Sequence, residues 1–331
     1  MNRTAWILTG LFVVGVVTVI FLVGRGDETD ASSTTTTVGT TTTTTSGDGD
    51  TSTTSGATTT STTVATTTTL PATTTTAPIT TTSAAVAGNW ATTPMVAAGF
   101  GALGWWDGAN WVQVEPATAL PVAGGEDYQV ALIGLEAIIA GGAPATLCEP
   151  VNNPGVVFEN EQVLGDWPGP LGVAISAPWV IVPHLVEPIE DDGTYSAFAA
   201  ELLAERGLDV PDPALKQIVQ TDLEGDGVNE VLVVAEDVSE GLFAQDGDYS
   251  LAFVRRTVGG EVQTDILGES VIVTADNPVV DSYSYGAIAD LNGDARMEIV
   301  LTTAYYEGIF LEVWEYGDGG PVARISSSCG A

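Results

Sequence analysis

The feature that most restricts how this chain can fold is an internal repeat. Residues 221–240, TDLEGDGVNEVLVVAEDVSE, align with residues 289–308, ADLNGDARMEIVLTTAYYEG, at a constant offset of 68 residues. In each copy an acidic loop runs directly into an apolar strand-like segment, and another such segment, LKQIVQ or SYGAIA, precedes it. A further strand pair follows, turning on Gly259-Gly260 in the first copy and on the GDGG run at 317–320 in the second. Period-two apolar runs separated by glycine turns predict an antiparallel four-strand meander as the unit, about 216–267 and then 284–327.

The loops themselves concentrate charge. Asp222, Glu224, Asp226 and Glu230 fall within nine residues, and Asp290, Asn292, Asp294 and Glu298 occupy the equivalent positions. Alternate residues of a tight loop can turn oxygens toward one centre, with the backbone carbonyl of the seventh position (Val228, Arg296) and the carboxylate of the ninth completing the shell. Oxygen donors select Ca²⁺, and neither loop supplies the His or Cys that transition metals prefer. The twelfth position, where an EF-hand needs Glu, falls on Val233 and Leu301, so that motif is excluded. The other reading is a hydrated acidic turn. Gly227 admits a left-handed turn in the first loop, whereas the second has Ala295 there, and the first also carries more charge, so it is expected to bind more strongly.

These two D-L-x-G-D-x-x-x-E loops with their following strands resemble the FG-GAP/VCBS-type calcium loops found in β-propeller blades of integrin-like and bacterial surface proteins. The resemblance covers the loops and flanking strands alone. It implies structural Ca²⁺ at Asp222, Glu224, Asp226, Val228 and Glu230, and at Asp290, Asn292, Asp294, Arg296 and Glu298. A closed propeller takes about four or more blades, and two copies are present. GVAISAPW (172–179), the helix ending in ERGL and the AYYEG…CGA tail resemble an arrangement found in exported bacterial proteins, a likeness that implies no activity.

Outside the repeat, FGALGWWDGANWVQVEP (100–116) reads as a hairpin around Asp107-Gly108. TYSAFAAELLAERGLDVP (194–211) is the helical exception: Phe198, Leu202 and Leu203 share one face, and Gly207 ends it. The expected fold is mainly β, antiparallel meanders that are propeller-blade-like or packed as a sandwich, with one amphipathic helix. This domain, 84–331, follows three other segments. Residues 5–24 are 20 residues without charge, enough to cross a bilayer as a helix. Arg3 precedes them and Asp27, Glu28 and Asp30 follow, which orients residues 1–4 to the cytoplasm and the remainder outside. A cleaved signal peptide is the alternative; its small-residue site would have to be Thr29-Asp30-Ala31. Residues 25–83 form a stalk: with 29 Thr among the 53 positions of 31–83, they carry too little apolar surface to offset the entropy of ordering. Such tracts suit O-glycosylation or a plain flexible linker.

Eight Lys and Arg against 43 Asp and Glu give a net charge of −35, which repels nucleic acid and anionic lipid headgroups. The two cysteines, Cys148 and Cys329, lack zinc or redox spacing and are expected to form one disulfide outside the cell. Trp105, Trp106 and Trp111 bracket the first hairpin turn and could stack on glycans or pair across the hairpin. The lone His184 is expected to be structural. Glu187, Glu190, Asp191 and Asp192 raise a paired-carboxylate hydrolase, against an exposed turn. Two functions emerge: a membrane-anchored, stalked adhesion or binding module with structural calcium, recognising an extracellular protein or glycan; and a cell-wall-associated hydrolase of glycans or peptides.

Overall fold

A computed structural model describes residues 85–330, except 167–168, 240–242, 276–278 and 318. The anchor and stalk expected over 1–83 lie outside the described residues. Among the described residues no helix is long and apolar enough to cross a membrane.

The chain forms three antiparallel sheets and one α-helix. The first sheet contains β1 (Met95–Ala98), β2 (Gly101–Trp106), β3 (Trp111–Gln113), β4 (Asp127–Leu132), β5 (Leu135–Leu147), β6 (Asn153–Phe158) and β7 (Val173–Ile175), in the order β3-β2-β1-β7-β4-β5-β6. The second contains β8 (Glu187–Pro188), β9 (Leu215–Thr221), β10 (Glu230–Asp237), β11 (Tyr249–Val258) and β12 (Glu261–Val271) as β12-β11-β10-β9-β8. The third is the uninterrupted meander β13 (Ser282–Ala289), β14 (Glu298–Tyr305), β15 (Gly308–Glu315) and β16 (Val322–Gly330). The two repeat units are therefore the last four strands of the second sheet and the whole of the third.

The turns have local causes. Gly259 and Gly260 both take positive φ, 61° and 89°, which matches the strand twist in a two-residue hairpin between β11 and β12. In the β2–β3 turn Asp107 Oδ1 accepts the backbone N–H of Ala109 and Asn110 at 2.8 and 2.7 Å. The hairpin from β4 to β5 across Ile133-Gly134, with Gly134 at φ 83°, carries no such recognisable pair in the sequence.

Apolar burial stacks the sheets face to face, with the third in the middle. Ala287, Ala289, Val300, Leu311 and Val313 pack against Val96, Leu103, Val173 and Ile175 of the first sheet. From its opposite face Tyr285, Ile288, Ile299 and Leu301 pack against Val219, Leu232, Val234 and Val254 of the second. Both faces of these strands are covered, which is why MVAA, VLVV and IVL (299–301) read as continuous apolar runs rather than alternations. The outer face of the second sheet is closed by α1 (Thr194–Glu205), whose Ala199, Leu202 and Leu203 meet Val233, Leu251 and Phe253. A helix thus occupies the face on which a propeller would seat its next blade.

The helix termini account for acids that raised a hydrolase. Asp191 accepts the N–H groups of Tyr195 and Ser196 at 2.9 and 3.1 Å, and Asp192 that of Thr194 at 3.1 Å, satisfying donors that the first turn leaves free. Gly207, at φ 87°, ends the helix in a Schellman motif: its N–H reaches Ala204 O and that of Leu208 reaches Leu203 O. Cys148, beyond the end of β5, is disulfide-bonded to Cys329 on β16, with Cα atoms 5.7 Å apart and a sequence separation of 181.

Candidate metal centre

Each acidic loop joins the first two strands of its meander, β9 to β10 and β13 to β14. The two are built alike. Asp222 turns its carboxylate inward and accepts the N–H groups of Gly225, Asp226 and Gly227 at 2.7–3.0 Å. Asp290 does the same for Gly293 and Ala295 at 2.6 and 3.0 Å. Asp226 Oδ1 accepts from Val228 N, as Asp294 Oδ1 does from Arg296 N. The ninth-position carboxylates close the base: Glu230 Oε2 accepts from Leu223 N at 2.9 Å, and Glu298 Oε2 from Leu291 N at 2.6 Å. Gly227 (φ 88°) and Ala295 (φ 69°) share the left-handed conformation, so Ala295 adopts it at a steric cost that the glycine avoids.

Electrostatics separates the two. Glu230 is buried, and this loss of solvation pushes its carboxyl up to about 7, only partly offset by the Leu223 N–H; Glu224, Asp226 and Asp222 raise it further. Burial likewise raises Asp290, to about 6, and holds Glu298 well above the usual carboxylate range. In the second loop Asn292 Nδ2 donates to Glu298 Oε1 at 3.0 Å. The equivalent Glu224 presents a carboxyl oxygen in place of that amide, and its Oε1 is buried without a hydrogen-bond partner. The donor chemistry of the first loop, hard anionic oxygens with one left unsatisfied, fits a hard divalent cation. Among the described residues no three Asp, Glu, His or Cys side chains already converge at coordination spacing.

The loops also lie against each other, which the linear spacing does not reveal. Met297 N donates to Leu223 O at 2.9 Å, and His184 Nε2 lies 3.2 Å from Ala295 O; a Cβ built on Gly225 would lie 3.2 Å from the same nitrogen. Trp179 Nε1 donates to Asp290 O at 2.9 Å while its ring lies 3.4 Å from a Cβ built on Gly293. Segment 179–184 therefore straps the pair together, and Trp179 and His184 belong to the site although neither stands near a loop in sequence. A cavity of about 470 Å³ adjoins it, between the β4–β5 turn and residues 182–186.

The remaining candidates sit elsewhere. Trp106 and Trp111 face each other across the β2–β3 hairpin edge-to-face, centroids 5.6 Å apart, and Trp111 Nε1 donates to Glu315 at 2.7 Å. Trp105 packs partly buried on the first sheet's core. Glu187 and Glu190 are exposed, and Glu187 accepts from Gln220 at 3.2 Å. No protein-family model, curated protein or solved structure matches the chain.

Proposed function

We propose that this chain is a membrane-anchored, stalk-borne extracellular binding or adhesion module whose acidic loops serve as structural Ca²⁺ sites. The observation that carries the calcium reading is the buried, unpartnered Glu224 Oε1 in a loop whose neighbouring Glu230 is also buried; two such carboxylates need a counterion or a proton. Placement outside the cell is supported by the Cys148–Cys329 disulfide, since such bonds persist in oxidising compartments. Residues 5–24 supply the anchor, with the N-terminus inside, and 25–83 the stalk. The binding reading is favoured over the hydrolase because Asp191 and Asp192 are occupied in capping α1.

The test is thermal unfolding of the full-length chain with millimolar calcium and with EGTA. Affinity on the order of 10⁻⁴ to 10⁻³ M is expected for a solvent-facing extracellular site, which stabilises the fold by roughly 0.4 to 1.4 kcal/mol at about millimolar calcium. Asp226→Ala removes most of that shift and Asp294→Ala removes less. Equal melting temperatures in both conditions would reduce the loops to hydrated turns. A glycan array probed with the full-length chain then addresses the ligand, and release of sugars or peptides from cell-wall material during the incubation would restore the hydrolase.

A further inference from the structure

The two loops share one frame but differ at two positions around the ninth-position glutamate. Thr221 stands directly opposite Glu230 in the β9–β10 register, so the two side chains leave the sheet on the same face. The corresponding partner of Glu298 is Ala289. Thr221 is 0 % exposed, and its hydroxyl, like Glu224 Oε1, has no hydrogen-bond partner. The first repeat thus leaves two buried oxygens, one hydroxyl and one carboxylate, unsatisfied around Glu230. In the second repeat an alanine replaces the hydroxyl, and the Asn292 amide reaches Glu298 Oε1 at 3.0 Å.

Resting on the calcium reading above, we infer that the chain binds a single divalent cation, in the first repeat, with the Thr221 hydroxyl as an added ligand beside Glu224 and Glu230. The second loop is closed by its own amide, Asn292 standing where the cation would bridge to the glutamate. An amide N–H donates to one carboxylate oxygen at no cost in charge, so Glu298 is served without metal. Glu224 offers no amide N–H to Glu230, and two ionised carboxylates present acceptors only. Asn292 decides the difference more directly than Ala295, whose strained turn forms regardless.

The experiment exchanges the two residues in the full-length chain. Calcium is titrated in isothermal calorimetry and equilibrium dialysis at physiological salt, with magnesium present to displace diffuse counterions. Wild type is expected to show one saturable site, Glu224→Asn none or one weakened by about tenfold or more, and Asn292→Glu two. Thr221→Val, which keeps the shape and removes the hydroxyl, weakens the single site while leaving the melting temperature in EGTA unchanged or higher. Glu224→Asn also raises the melting temperature in EGTA, since it installs the closing amide. If Asn292→Glu fails to fold, Asn292→Asp, which removes the donor with less bulk, serves instead. Two saturable sites in wild type, or one that keeps its wild-type affinity in Glu224→Asn, would overturn the inference and leave calcium binding intact. No saturable site in wild type would overturn the calcium reading itself.

Discussion

At the scale of single residues, backbone conformation and burial set the loops' cost separately from any ligand. Gly227 and Ala295 occupy equivalent left-handed positions. Gly227→Ala is expected to destabilise by about 1 kcal/mol, and Ala295→Gly to stabilise by about 0.5 kcal/mol once the entropy of the glycine is offset. Urea denaturation in EGTA measures both, and equal effects of the same sign would contradict the shared geometry. Glu230 adds a pH dependence. Its folded pKa of about 7 lies above its ordinary 4.5, so below about 4.5 it is protonated in both states and costs nothing. As pH rises the unfolded chain loses that proton first, and stability falls until the pH passes about 7. In EGTA the melting temperature should therefore decline between about pH 5 and 8, and Glu230→Gln should make the decline shallower. A slope unchanged by that substitution would show that Glu230 is solvated.

Among the elements, α1 and the seam between the repeat sheets depend on a few polar side chains. Asp191 carries two of the helix's free N–H groups, so Asp191→Ala should cost about 1 kcal/mol, with hydrogen exchange rising first in Thr194–Ala197 and not in β10. At the seam, Gln217 on β9 uses its amide as a clip: Nε2 donates to Tyr285 O at 3.0 Å and Oε1 accepts from Tyr285 N at 2.8 Å. Tyr285 is the residue equivalent to Gln217, 68 positions on, so the repeats are joined at matched points. Gln217→Leu leaves both backbone groups of a buried residue unpaired and should cost about 1–3 kcal/mol in denaturant unfolding; a neutral effect would mean that water replaces the clip.

For the whole molecule, the disulfide and the layered core act on different sequence ranges. Cys148 and Cys329 connect the end of β5 in the first sheet to the last strand of the third, across a sequence separation of 181 residues. Replacing both by serine should lower stability by roughly 2–5 kcal/mol and make the β15–β16 hairpin more accessible to protease, because β16 lies at the edge of its sheet. Loss of stability with no change in the cleavage pattern would place the effect in the unfolded state alone.

Much of the architecture was legible because its causes are local. Periodicity, glycine pairs and the helix stop at Gly207 determined the hairpins at 107–110 and 259–260, the antiparallel pairing of β15 with β16, the two meanders and α1, since each depends on residues within a few positions of one another. The D-L-x-G-D-x-x-x-E spacing likewise determined which residues share each loop. The tertiary structure decided everything that depends on distant segments: the stacking order with the third sheet innermost, the helix on the face a next blade would take, and the strap through Trp179 and His184. It also decided the asymmetry of the loops. The sequence shows that the first loop carries more carboxylates than the second, but not the pairing of Thr221 with Glu230 or the reach of Asn292 to Glu298, because hydrogen-bond satisfaction in a buried site is a property of geometry that composition does not encode.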